Sequence, residues 1–157
     1  GLKIQAFEPN QDAYGKFLKT NIKNSFKNVE ISNFGLSNVN KKVKMITWFK
    51  HGIAKTNSTI LDKSHSTVNS KIFEADLKIG DEVINISNKK LILKIDVEGH
   101  ELSVLLGLKS TLINNRCLIL IEIGDEKFEK VNKYLIEKNF KIIFKSKYRL
   151  DYVYSNL

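Results

Sequence analysis

The densest run of groups able to move protons in this chain is Asp96-Val97-Glu98-Gly99-His100-Glu101. Histidine is the side chain best suited to take a proton near neutral pH. A carboxylate at the end of an apolar strand is rarely left without a partner, because desolvating its charge is costly. Lys94, two residues earlier and on the same strand face, is a candidate partner for Asp96. Plainer uses compete with these: Asp96 as a helix cap, His100 as a surface residue of a first helical turn, and Glu98 and Glu101 as complements to a positive helix end. An Asp/Glu/His cluster also suits a divalent cation. Here D-x-E-x-H spans a strand-to-helix turn, so its side chains need not converge, and no metal site is expected. Glu8 ends a short strand, where a carboxylate can accept two hydrogen bonds from a ribose diol; the alternative is a surface Glu. Trp48, Phe49 and His51 stand beside Lys50 and Lys55, a set able to stack on a sugar or grip an acidic acceptor, though packing is the commoner use of such residues. His65 carries no usable signal.

The elements that must position these groups follow from hydropathy spacing. Leu2–Phe7 alternates as a strand and stops at Pro9, which cannot donate to a ladder. Asn10 is a suitable N-cap for a helix over Gln11–Asn24, with Tyr14, Phe17, Leu18 and Ile22 at helical spacing. Val29–Leu36 reads as a strand, Lys42–Phe49 as another, Gly52–Asp62 as loop and Val68–Glu74 as a strand. Asp76–Ile86 fits either a short helix or a turn plus strand. Lys90–Val97 is nearly continuously apolar up to Asp96, which suits a strand buried on both faces of a parallel sheet. A helix follows Gly99, with Leu102, Leu105, Leu106, Leu112 and Ile113 as one stripe. Cys117–Ile123 is a second buried strand. Asp125 caps the next helix, whose inner face is Phe128, Val131, Leu135 and Ile136. Two strands joined by a tight turn near Arg149 close the chain and should run antiparallel.

Alternating strands and helices imply an α/β fold, doubly wound, with a mostly parallel sheet and an antiparallel last strand. Ligands in such sheets sit beyond the carboxyl ends of the strands. The residues to read for chemistry are therefore Glu8, Leu36, Asp96 to Glu101, and Glu122. With 157 residues and 42% hydrophobic content, the expectation is one domain over 1–157 with a β-rich insertion at about 38–75. No apolar run reaches the roughly 18–20 residues that span a bilayer, and no membrane involvement is expected. No basic-then-apolar leader opens the chain. The single Cys117 cannot form an internal disulfide or a Cys-based zinc site, and a reducing cytoplasm is the natural compartment. Of 26 basic residues against 17 acidic ones, only Arg116 and Arg149 are arginine, the residue that forks onto phosphates and guanine edges. Solvated lysine faces therefore explain the +9 charge better than nucleic-acid binding does.

Several segments together resemble the FkbM-type S-adenosylmethionine-dependent methyltransferases. They are Ala6-Phe7-Glu8-Pro9-Asn10, the run from Lys94 to Glu101, Leu105-Leu106-Gly107 and Leu118 to Ile123. Gly35-Leu36-Ser37 and Asp151-Tyr152-Val153-Tyr154-Ser155-Asn156 add to the match, which extends over nearly the whole chain. The resemblance implies a Rossmann-like methyltransferase fold and methyl transfer to a hydroxyl of a sugar, secondary metabolite or cell-surface component. S-adenosylmethionine is the implied cofactor, and the implied partner is a small-molecule or glycan acceptor; a homo-oligomer is left open. The implied cofactor-binding residues are Glu8, at the ribose, Gly35 and Leu36, at the adenine, and Asp96. Asp96, Glu98 and His100 are the catalytic candidates, and which of Asp96 and His100 is the base stays open. A basic, non-catalytic interaction module binding a protein or nucleic acid is the competing reading.

The chain departs from the family in one respect. Members carry, ahead of the A-F-E-P strand, a first strand and a glycine-rich turn around the methionine end of the cofactor. Here glycines stand only at 1, 15, 35, 52, 80, 99, 107 and 124, with no G-x-G. The expectation is a fold lacking its first βα unit. Since that strand lies between the A-F-E-P strand and the Lys90–Val97 strand, these two should either pair directly or have the gap filled by another chain. Each unsatisfied buried backbone group would otherwise cost roughly 1–3 kcal/mol.

Overall fold

The computed structural model describes every residue but 51 and 52, with only the strand backbone considered at 50 and 53–57. His51 and the side chains of Lys50 and Lys55 thus lie outside the described residues. The elements in order are β1 (Ile4–Phe7), α1 (Gln11–Asn24), β2 (Val29–Ser32), β3 (Gly35–Ser37), β4 (Lys41–Lys50), β5 (Ile53–Ile60), β6 (Ser70–Ile79), α2 (Gly80–Val83), β7 (Lys90–Ile95), α3 (Glu101–Gly107), α4 (Lys109–Asn114), β8 (Arg116–Glu122), α5 (Asp125–Glu137), β9 (Lys141–Lys145) and β10 (Asp151–Ser155). They fall into two compact units, Gly1–Lys78 and Ile79–Leu157.

In the first unit β1 and β2 form a parallel pair, with Phe7 opposite Ser32. The crossover between them is α1. Asn10 caps it through its side-chain oxygen, which accepts from the Asp12 and Ala13 N–H groups, and Ser25 ends it in a left-handed turn at φ 55°. Its expected apolar stripe is only partly covered, since Phe17 and Ile22 are exposed. The Val29–Leu36 strand divides: Asn33 and Phe34 break it, and β3 joins a different, four-stranded sheet in the order β3-β6-β4-β5. There β4 runs antiparallel to both β5 and β6. The stretch expected to be loop at 52–62 is mostly the edge strand β5. An edge strand needs no apolar alternation, and its threonines suit extended backbone. β6 runs on to Ile79, past the expected Glu74, and α2 follows at once.

The second unit is a four-stranded sheet in the order β7-β8-β10-β9. β7 and β8 are parallel, while β10 is antiparallel to both β8 and β9. The antiparallel last strand is therefore present, but the described sheets are mixed rather than mostly parallel. The chain visits the sheet edge first, at β9, and returns through β10 to the interior, where Tyr152 and Tyr154 are buried. The core gathers Leu105, Leu112, Ile119, Ile121, Val131 and Leu135, all fully buried; each contributes about 1.5–3 kcal/mol.

Three expectations for this unit need correction. β7 is not buried on both faces: its exposure alternates and Ile92 is 73% exposed. The long helix after Gly99 is two short ones, α3 and α4, because Leu108 leaves helical geometry at φ −103°, ψ 19° and restarts the winding. The stripe splits with it, leaving Leu106 and Ile113 exposed. The N-cap of α5 is Gly124, not Asp125, and Ile136 is exposed, because it lies about 100° round the helix from buried Leu135. Among the described residues β1 has one ladder, to β2, and β7 one, to β8.

Candidate active site

In the second unit the strand ends carry a cleft of about 240 Å³, lined by Asp96, Glu98, Glu101, Glu122, Glu126 and Lys127, with Gly99, Gly124 and Leu150 completing it. β7 and β8 are parallel, so Asp96 and Glu122 leave the sheet at the same edge. The turn after β7 is built by two successive left-handed residues, Glu98 at φ 49° and Gly99 at φ 98°. At Gly99 a side chain would also run into the Lys127 ammonium. The Lys127 ammonium donates to the Gly99 carbonyl at 2.8 Å, and the Gly99 N–H donates to Glu101 Oε1 at 2.6 Å. Glu101 is buried and serves the first turn of α3. It is thus structural, as its placement at a positive helix end allows.

Asp96 does not cap α3, whose N-cap position is His100. Its carboxylate instead takes the Lys94 ammonium at 2.7 Å, and both side chains remain substantially exposed. An exposed pair of this kind is worth about 0–1 kcal/mol, so it aims the carboxylate more than it stabilises the fold. Glu98 shares the cleft with Asp96, whereas His100, two residues on, is not part of its lining. Among the described residues no three His, Cys, Asp or Glu side chains are placed to hold a metal ion.

In the first unit Glu8 follows β1. Its Oε1 accepts the Asn10 N–H at 2.8 Å, and its backbone is fastened to Ser32 and Asn33. Burial pushes its pKa above the ordinary 4.5, with the Asn10 hydrogen bond working the other way. Gly35 is buried in β3, where a Cβ would meet Leu77 at 2.7 Å and Pro9 at 3.5 Å. The tight contact is with the flexible end of Leu77 on β6, while Pro9 lies at ordinary van der Waals distance. Leu36 is half-buried beside it. Glu8, Gly35 and Leu36 are therefore collected in one unit and Asp96, Glu98 and His100 in the other. The sequence reading missed the rings that shoulder the first group. Phe7 packs on Phe34 with centroids 5.6 Å apart, and the Lys78 ammonium lies 4.3 Å over Phe34. Glu126 and Lys127 in the second unit were also missed, because they come from the start of α5, far along the chain. Trp48 is taken up by packing: it lies on His65 and donates its indole N–H to the Ser66 carbonyl at 2.8 Å.

A larger hollow of about 560 Å³ lies at the opposite ends of β7 and β8, around Lys89, Lys90 and Arg116. Its size does not make it the better site. Two of its amides are spent on backbone: Asn115 bonds to Lys89, Ile86 and Thr111, and Asn156 to Cys117, Asn115 and Leu112.

The family model of the methyltransferase FkbM domain matches residues 1–142. The chain belongs to the FkbM methyltransferase domain family. Its fold is similar to that of the crystal structure of the methyltransferase FkbM from Methylobacillus flagellatus KT, with a TM-score of 0.62 at 13% sequence identity. That match covers 98% of this chain and 36% of the other, so the chain spans about a third of its length. No curated protein gives a significant match.

Proposed function

We propose that this FkbM domain is part of an S-adenosylmethionine-dependent O-methyltransferase whose acceptor is a hydroxyl of a sugar or a secondary metabolite. The observation that carries this reading is the carboxylate-rich cleft past β7 and β8, with Asp96 aimed by Lys94. A cleft richer in acceptors than donors suits a ligand that offers several hydroxyl protons. Glu8 fits the ribose diol of the cofactor. Its carboxylate is half-buried and fixed by Asn10, and two hydroxyl donors would offset the burial that now raises its pKa. Gly35 and half-buried Leu36 are the residues that would meet the adenine ring. When bound, the cofactor supplies an electrophilic methyl group on a sulfonium.

The protein's own part is then positioning and proton transfer. Asp96 and Glu98 hold the acceptor by its hydroxyls, and alignment of the attacking oxygen contributes more than any single proton transfer. With the cofactor bound, Asp96, which lines the cleft as His100 does not, would take the proton that the acceptor hydroxyl gives up, a role worth about 10²–10⁴-fold. A single, buried, unreactive cysteine suits a reducing cytoplasm.

Calorimetric titration with S-adenosylhomocysteine tests the reading. We expect weak binding by this chain and firm binding by a longer chain that contains it together with a glycine-rich turn. Glu8→Gln should weaken binding by about 10–150-fold, the worth of hydrogen bonds to a charged group. No binding by either chain overturns the assignment.

A further inference from the structure

We propose that β9 and the turn that follows it form a docking surface for an anionic bilayer. Between Glu137 and Asp151 the chain carries Lys138, Lys141, Lys145, Lys147 and Arg149 and no carboxylate. In the same stretch all five residues of β9 are exposed, including the consecutive Ile142, Ile143 and Phe144. Tyr148 at the turn is 87% exposed. β9 is the outer strand of the order β7-β8-β10-β9. Lysines alone are a sufficient guard for such an edge, and a bare Ile-Ile-Phe run works against that purpose. Along β9, Ile143 shares one face with Lys141 and Lys145, and Ile142 and Phe144 share the other. Exposed apolar groups interleaved with cations, with a tyrosine in the adjoining turn, suit the boundary between lipid headgroups and acyl chains. Lysine ammonium groups here lie over rings. The Lys145 ammonium is 5.4 Å from the Tyr152 centroid and 5.6 Å from that of Phe128, and Lys147 is 5.5 Å from that of Tyr148.

Two other occupants fit less well. A second copy pairing antiparallel through β9, centred on Ile143, would set Lys141 against Lys145 of its mate, like charge on like. Nucleic acid would use arginine forks and flat rings, and gains little from an aliphatic pair. The sequence expectation of no membrane involvement rested on the lack of a spanning segment. No helix among the described residues is long and apolar enough to cross a membrane. Surface docking needs none.

The test is sedimentation of the 157-residue chain with vesicles of phosphatidylcholine alone or with roughly a third phosphatidylserine. Binding is expected only to the anionic vesicles. The pair Lys147→Gln and Arg149→Gln should weaken it about 25-fold, at about fivefold for each cation lost. Tyr148→Ser, at an exposed turn position that bears no core contact, should weaken it further without shifting the thermal midpoint. As a control of equal charge, Lys19→Gln with Lys23→Gln on α1 should leave most of the binding intact. Equal loss from both charge pairs would reduce the effect to net charge and overturn the proposal. Failure to bind anionic vesicles overturns it too. So does tighter binding to a single-stranded oligonucleotide that is lost on the same substitutions.

Discussion

The two ends of the β7–β8 pair use their polar side chains in different ways. At the end near Lys90 and Arg116, the amides of Asn115 and Asn156 each make three hydrogen bonds to backbone groups that the sheet and α4 leave unmatched. At the other end the carboxylates of Asp96, Glu98, Glu122 and Glu126 open onto a cleft. Glu101 there accepts the Gly99 N–H. On the function proposed above, the contrast separates amides that complete the fold from carboxylates that would meet a ligand.

Asp96→Asn should break the contrast most sharply, because it keeps the shape and removes the charge. Methyl transfer to a hydroxylated acceptor, followed as release of S-adenosylhomocysteine, should fall by about 10²–10⁴-fold. The thermal midpoint should stay within about 2 °C, since the Lys94 pair is exposed and contributes little. A large loss of stability with unchanged turnover would place Asp96 among the structural groups instead.

Asn156→Ala should do the reverse. It leaves the buried Cys117 N–H and two carbonyls without partners. The expected loss is about 2–4 kcal/mol, read in a urea titration with an unchanged slope. S-adenosylhomocysteine affinity per folded molecule should not move. The burial that pushes the Cys117 thiol up to about 11 should also relax, so thiol labelling should quicken in this variant.

How much of this was legible in the sequence depends on whether the signal was local. The strand before Asp96, the cap at Asn10, the antiparallel pair of β9 and β10 and the D-V-E-G-H-E turn all rest on neighbours in the chain, and the structure has each of them. Glu126 and Lys127 could not be read, because nothing near residue 99 points to the start of α5. The two faces of β7 were misjudged for a related reason. An apolar run such as Leu91-Ile92-Leu93 states what can be buried, and only the sheet's neighbours decide which face is; here Ile92 is left outside. The break at Leu108 was hidden because leucine is a good helix former, so propensity alone predicts no interruption there. Polar β5 was missed because edge strands escape the alternation rule.

Gly99→Ala sharpens the contrast from the backbone side. The residue sits at φ 98°, beside the Lys127 ammonium. Alanine there should cost about 1–3 kcal/mol. Because Lys127 is the far end of a flexible side chain, most of the strain should come from φ and only a little from the collision. Gly99→Ala with Lys127→Ala should therefore recover little stability. A full rescue would show that the steric term dominates.

The smallest expected effect is on pH dependence, where Glu8 and Asp81 should pull in opposite directions. Burial works against the Asp81 charge. Hydrogen bonds from the Ser110 and Thr111 N–H groups and the Thr111 hydroxyl outweigh it, and its pKa is lowered from the ordinary 3.8. The unfolded chain then binds this proton more readily than the folded one. Asp81 therefore adds stability above about pH 3.8 that is lost as the pH falls through its lower, folded value. Glu8 has the opposite sign. Its folded pKa is raised, so the folded chain holds the proton more tightly, and stability declines as the pH rises from about 4.5 through the folded value. Asp81→Asn should flatten the acid limb of a plot of unfolding midpoint against pH. Glu8→Gln should remove the decline above it and leave the protein slightly more stable at pH 7. A Glu8→Gln variant that is less stable at pH 7 than the parent would mean that the carboxylate completes the fold, as the amides at the far end of the sheet do, and is not held in reserve for a ligand.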